Sequence, residues 1–419
     1  MSDKFVINGD KPLNGEIEVR GSKNSAGPAL AAVLLTEDEC IIDNVPFIED
    51  ISNIIDVLKS MGVSVEKIGE EKLKIKADKI NPENMDFQKA GKTRISVLLF
   101  GSLLARVRNF KMTPPGGDRI GLRPISVHLK ALEKMGAKIE REGELYNVTC
   151  DKLEGTTITL SEFSVTATEC IMLAAVLAKG KTVIKGAAAE PHVQDLGEML
   201  LKMGAKIEGI KTHTITIEGV EKLHGCNYSI IPDTIEAGTF IVIGALTKGK
   251  LKVTGINLDH LDLFLAKLDE MGVIFERGEN YVIVSHSPNL NAVKVQALPH
   301  PGFQTDLLPI IIPLLLKANG TSLVHDPLYE NRFSYIEELR KMGANIDLVD
   351  PHRAFVTGPT KLFGANISSN DIRAGACLVV AALMAEGETT IDNVFQIDRG
   401  YEKLEERLQK IGADIKRIQ

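Results

Sequence analysis

The stretch PPGGDRIGLRP, residues 114–124, sets one carboxylate, Asp118, between a glycine and two arginines, Arg119 and Arg123. Surface turns favour Gly, Pro and Asp for backbone reasons alone, so Asp118 takes a chemical reading only from what recurs around it. Positive charge recurs. Lys23 in GSKN, Arg94 in GKTR, Arg123 in the loop itself, Arg332 in YENRF, Arg373 in NDIRAG and Arg399 in IDRGYE stand at comparable places in a repeating chain. A single arginine is usually a solvated surface charge. Six cations at equivalent positions point instead to an anionic ligand, because the guanidinium fork matches carboxylate and phosphate. The ligand class is a polyanionic small molecule, phosphorylated and carboxylated.

Other acids and one histidine belong to the same stretches. Asp306 opens a very apolar helix, where an acid is either a cap or first-turn residue or a base. Asp371 and Asp398 closely precede Arg373 and Arg399 and are expected to pair with them and orient them. Glu190 and His192 in EPHVQD read as loop residues without a role, and His128 after the glycine-rich loop as a capping residue or a ligand.

The elements that position these residues repeat. LKSMGVSVEKI (58–68), LEKMGAKIERE (132–142), LLKMGAKIEGI (200–210), LDEMGVIFERG (268–278), LRKMGANIDLV (339–349) and LQKIGADIKRI (408–418) are six versions of one sentence. Each reads as an amphipathic helix stopped by a glycine suited to a left-handed cap, followed by a short strand. The spacing of about 70 residues marks duplication. Upstream in most copies lies a helix that is apolar on every face, such as SVTATECIMLAAVLAKG, and such helices must be buried. A βαβαββ unit fits this order, three units to a domain with strands around the inner helices. The crossing point falls near GCNYSIIPDTIEAG (225–238). The helix starts that carry GSKN, GKTR, EFSVTAT, PDTIEAG, FQTD and NDIRAG are expected to face a common cleft, where free N–H groups and helix dipoles favour an anion.

Composition excludes several classes. The 419 residues exceed one ordinary core, and 44% hydrophobic with 25% charged residues describes a folded soluble protein. A net charge of −7 argues against a general nucleic-acid binder. The apolar run LLPIIIPLLL (307–316) is about half of a bilayer span, and MSDKFVINGD has no apolar signal region. Five scattered cysteines fit neither a disulfide framework nor a CxxC metal site, so buried thiols and a cytoplasmic location are expected.

With those residues in hand, the sequence resembles the enolpyruvyl transferases end to end, through GSKNSAGPAL, PPGGDRIGLRP, EPHVQD, PDTIEAGTF, TDLLP, YENRF, DIRAG and IDRGYE. The branch it resembles uses UDP-N-acetylglucosamine as acceptor, in the first committed step of peptidoglycan synthesis. The resemblance implies an α/β fold of two inside-out barrel domains, each a threefold repeat. One domain would span 22–231 and the other 1–21 with 232–419, the active-site cleft lying between them. It implies phosphoenolpyruvate and UDP-N-acetylglucosamine as substrates, with no metal or other cofactor and no obligate protein partner. Lys23, Arg123 and Arg399 would hold the phosphate of phosphoenolpyruvate, and Arg332 and Arg373 its carboxylate. Arg94 would line the anion site, and Asn24, Asp306, Ser164 and Val165 would contact the nucleotide sugar. Pro124, His128 and Asp371 complete the expected binding set. Asp306 would be the base for the sugar hydroxyl.

The departures from that pattern are specific. Most of the family carries cysteine where Asp118 stands, a residue credited with general-acid chemistry and alkylated by fosfomycin. A carboxylate is a much weaker nucleophile than a thiolate. Cations beside Asp118 favour its charged form, whereas an acid must carry a proton, so closure around ligand has to supply the difference. Phe47, Ser126, Glu162 and Thr234 also replace family residues, on the side expected to meet the nucleotide. Two other readings follow from these changes: transfer to another acceptor such as shikimate 3-phosphate, and a catalytically silent paralogue that senses ligand. GSKNSAG lacks the Ser and Arg pattern of the shikimate branch, and the retained arginines argue against silence.

Overall fold

The structure, a computed structural model, describes residues 3–118 and 120–419. The chain folds as two compact units. Unit 1 comprises Met1–Arg20, Asp118–Leu122 and Pro232–Gln419, and unit 2 comprises Gly21–Gly117 and Arg123–Ile231. The short segment Asp118–Leu122 thus groups with the C-terminal half, although the chain on either side of it belongs to unit 2.

Unit 2 holds three sheets of related order. Asn227–Ser229 runs parallel to Glu39–Asp43, which pairs antiparallel with Leu73–Lys76, and Ser64–Lys67 forms the far edge. Thr157–Thr159, Lys181–Lys185, Thr214–Glu218 and Lys206–Glu208 repeat that sequence of pairings. Phe110–Met112, Leu145–Thr149 and Lys138–Glu142 repeat its antiparallel part. Beneath them lie Lys23–Ala32, Leu99–Arg106 and Val165–Ala175, whose buried residues belong to one apolar core.

Unit 1 follows the same plan. Its sheets centre on Lys250–Thr254, Ala318–His325 and Glu388–Asp392, each with parallel pairing on one side, by two short strands in the case of Ala318–His325, and two antiparallel strands beyond the other. The N-terminal strand Lys4–Asn8 sits inside the third of these, between Glu388–Asp392 and Asp414–Ile418. The inner helices are Thr234–Leu246, Leu308–Leu315 and Ile372–Met384, which share an apolar core of their own. Each fully buried Val, Leu or Ile side chain contributes about 1.5–3 kcal/mol relative to exposure, which is why these helices are apolar on all faces.

The six glycines of the repeated phrase, Gly62, Gly136, Gly204, Gly272, Gly343 and Gly412, all have positive φ, between 84° and 106°. A side chain at that left-handed cap would be strained, so the same residue ends all six outer helices. Among the described residues the strands form six sheets, none of which closes on itself. No helix among the described residues is long and apolar enough to cross a membrane, and all five cysteines are buried and free.

Candidate active site

In unit 1, Asp306 lies in the 3₁₀ turn Thr305–Leu307 and bridges two arginines. Its Oδ1 accepts from Arg332 Nη2 at 2.8 Å and its Oδ2 from Arg373 Nε at 3.0 Å. Both guanidinium groups are buried, at 2% and 3% exposure. Arg332 Nη2 also donates to Thr305 Oγ1 at 3.1 Å, and that hydroxyl donates to Asp326, a wholly buried acid 3.5 Å from Arg332 Nε. Burial opposes both charges. For Arg332 it is outweighed by Asp306, Asp326 and Asp371, and for Arg373 by Asp306, Tyr401 and Asp233, so both pKa values stand above the usual guanidinium value. Arg373 Nη1 and Nη2 are buried and meet no acceptor among the described residues. Two adjacent donors of that kind match a carboxylate.

Arg373 owes its place to a cap. Asp371 accepts from the backbone N–H of Arg373 and of Ala374, each at 2.9 Å, and so starts the helix Ile372–Met384. Burial and then the charge of Asp118 push the Asp371 carboxyl upward. The guanidinium of Arg373 lies 5.7 Å from the Tyr401 ring, whose hydroxyl is 2.9 Å from Thr239 Oγ1. The expected pairing of Asp371 and Asp398 with their neighbouring arginines is therefore corrected. Asp371 caps, the Arg373 side chain turns to Asp306, and Asp398 accepts from Arg417 at 2.6 and 2.9 Å. Residues one or two apart on a helix do not face each other.

Asp118 meets Arg399. Arg399 Nη1 donates to Asp118 Oδ1 at 2.5 Å and to Gln396 Oε1 at 2.8 Å. Arg119, the other cation beside Asp118 in sequence, lies outside the described residues.

Unit 2 collects a second set. Arg94 opens the 3₁₀ turn Arg94–Leu98 after its cap Thr93, and its Nη1 donates to the carbonyl of Arg123 at 2.8 Å. Pro124 follows, and His128 lies in the helix Ser126–Lys134. His128 is 1% exposed; burial, with the charges of Arg94 and Arg123, pushes it down to about 3. The ring is therefore neutral near pH 7, with Nε2 2.8 Å from Thr166 Oγ1 and Nδ1 buried without a partner among the described residues. Thr166 belongs to the helix Val165–Ala175, whose cap Ser164 accepts from Ala167 N at 3.3 Å. Arg94, Arg123, His128, Ser164 and Val165 are thereby tied together. Lys23 and Asn24 open another helix, Lys23–Ala32, with Lys23 Nζ 3.6 Å from Asp50 Oδ2.

Two of the departing residues, Thr234 and Phe47, have local partners. Thr234 donates to Gln304 Oε1 at 3.1 Å, and Gln304 Nε2 donates to the His260 carbonyl at 3.1 Å. Lys67 sits 3.7 Å over the Phe47 ring. Glu190, read as a loop residue, is buried at the start of Pro191–Lys202, and Glu169 is pushed well above the carboxylate range by burial and by Glu190's charge. Residues the sequence reading missed are Asp326, Thr305 and Gln396. Asp326 stands six positions before Arg332 in the same repeated loop, and an acid in that loop is a signal available from sequence.

Comparison with known proteins bears on this geometry. The family model described as EPSP synthase (3-phosphoshikimate 1-carboxyvinyltransferase) matches residues 7–408. The UDP-N-acetylglucosamine 1-carboxyvinyltransferase of Koribacter versatilis is 45% identical over 99% of this chain and 96% of its own. That of Solibacter usitatus is 44% identical over 100% of both chains. Among solved structures, the enolpyruvyl transferase NikO from Streptomyces tendae has a TM-score of 0.92 at 25% identity, covering 99% of each chain. EPSP synthase from Acinetobacter baumannii has a TM-score of 0.75 at 20% identity over the whole of both chains, which bears on fold alone.

Proposed function

The chain belongs to the EPSP synthase family of enolpyruvyl transferases, and from that premise we propose that it transfers the enolpyruvyl group of phosphoenolpyruvate to the 3-hydroxyl of UDP-N-acetylglucosamine. Phosphate is released, and the reaction is the first committed step of peptidoglycan synthesis. The observation that carries the choice of acceptor is full-length identity of 42–45% to several transferases named for that nucleotide sugar. We read the finer architecture as two domains, each built from three copies of a βαβαββ unit, supported by six sheets of related strand order.

The chemistry needs a base, an acid and a cationic cradle. The sugar oxygen loses its proton and bonds to C2 of phosphoenolpyruvate while C3 gains a proton. The tetrahedral adduct then loses a proton from C3 as the C2–O bond to phosphate breaks, restoring the double bond. In this proposal Asp306 takes the hydroxyl proton, and Arg332 and Arg373 hold the carboxylate, a role supported by the two Arg373 nitrogens that meet no acceptor among the described residues. Lys23, Arg123 and Arg399 hold the phosphate, with Arg94 lining the anion site. Asn24, Pro124, His128, Ser164, Val165 and Asp371 serve binding, with His128 neutral and able to accept or donate one hydrogen bond. Fixed donors aimed at developing charge are the largest source of catalysis in such sites.

Asp118 is the acid. Its carboxylate is paired with Arg399, the cation that this reading gives to the phosphate. The test is mass spectrometry of the nucleotide sugar after incubation with phosphoenolpyruvate. The proposal expects a UDP-sugar carrying the enolpyruvyl ether; an unmodified sugar after prolonged incubation overturns it.

A further inference from the structure

Among the described residues, the segment Asp118–Leu122 is fastened to the rest of unit 1 at three points, and the third involves a residue with no part in the chemistry so far. Asp118 meets Arg399. Asn331 N donates to the Ile120 carbonyl at 3.1 Å. Leu122 N donates to Glu330 Oε1 at 2.6 Å. Glu330 and Asn331 immediately precede Arg332, so the stretch that supplies a guanidinium to Asp306 also grips the loop that carries Asp118.

Loop and grip fit each other closely. Gly121 has φ +144°, and a Cβ built there would stand 2.4 Å from Glu330 Oε2, so this carboxylate occupies space that any other residue at 121 would claim. The N–H of Leu122 and the backbone N–H of Glu330 itself hold the carboxyl below its ordinary range, and a charged acceptor makes a hydrogen bond roughly twice as strong as a neutral one. Glu330 is also solvent-exposed, so its removal leaves no buried group unpaired.

We propose that Glu330 is a positioning residue that tethers the loop at Leu122 and so sets Asp118 against Arg399. The proposal rests on Asp118 being the acid of the reaction. Glu330→Ala is expected to lower kcat roughly tenfold, the usual scale for losing a hydrogen bond to a charged group, with an unchanged thermal midpoint. Glu330→Gln keeps an acceptor oxygen and should recover part of the loss. In an Asp118→Asn background, Glu330→Ala should change kcat little, because the tether acts through Asp118.

Hydrogen exchange of a peptide spanning 118–124 gives a readout that needs no activity. Faster exchange in Glu330→Ala supports the tether. Unchanged exchange, or an undiminished effect of Glu330→Ala on kcat without Asp118, overturns the proposal. If the wild-type protein proves inactive with both substrates while exchange still depends on Glu330, the functional reading fails and the tether stands.

Discussion

Asp118 and Arg399, 281 positions apart in the chain, form an ion pair with Nη1 and Oδ1 2.5 Å from each other. The pair joins the proposed acid to a cation assigned to the phosphate. Asp118→Asn keeps the shape and removes the transferable proton, so kcat should fall by about 10²–10⁴, the range general acid catalysis contributes. Affinity for phosphoenolpyruvate should hold or tighten, because Arg399 loses a competing anion. Steady-state kinetics check both, and unchanged turnover would remove Asp118 from the chemistry.

Fosfomycin gives an independent view of the same position. The wild-type protein should show no time-dependent inactivation and no covalent adduct by mass spectrometry, since a carboxylate is a poor nucleophile towards the epoxide. Asp118→Cys should acquire both properties, because a thiolate near Arg399 is reactive.

Asp306, the proposed base, also supports the fold. Its carboxylate neutralises Arg332 and Arg373, which are 2% and 3% exposed. Removing one partner of a buried pair costs about 3–5 kcal/mol. Asp306→Ala should approach the lower end of that range in urea unfolding, because Asp306 itself is partly exposed and Asp326 remains beside Arg332. Asp306→Asn should lose less stability, yet lose activity to the same degree.

His128 makes a pH prediction. Its pKa is pushed from 6.5 to about 3 in the folded chain by burial, Arg94 and Arg123. Between those values the unfolded chain binds a proton that the native chain refuses, so stability rises with pH in that window and falls as pH drops from about 6.5 towards 3. The slope due to this one group approaches about 1.4 kcal/mol per pH unit. Urea unfolding at pH 7 and pH 5 should show a smaller difference in His128→Asn than in the wild type.

Much of this was legible before the structure. The glycine after each repeated helix announced a left-handed cap, and the apolar runs beginning at residues 165, 234 and 372 announced buried helices. Charge partners were not legible, because they are chosen by tertiary packing. Asp398 reaches Arg417 rather than the adjacent Arg399, and Asp371 spends its oxygens on backbone N–H groups. Glu330 lies within the YENRF motif, but only Arg332 of that motif drew a reading from the sequence. What hints at it is Gly121, a glycine whose missing side chain makes room for the Glu330 carboxylate.

The central claim is enolpyruvyl transfer to UDP-N-acetylglucosamine with aspartate at position 118. Its most direct measurement is phosphate release from phosphoenolpyruvate by the purified wild-type protein, with UDP-N-acetylglucosamine or shikimate 3-phosphate supplied in parallel. The account predicts release with the nucleotide sugar, matched mole for mole by its consumption, and none with shikimate 3-phosphate. Release with shikimate 3-phosphate alone, or with neither acceptor, would contradict it.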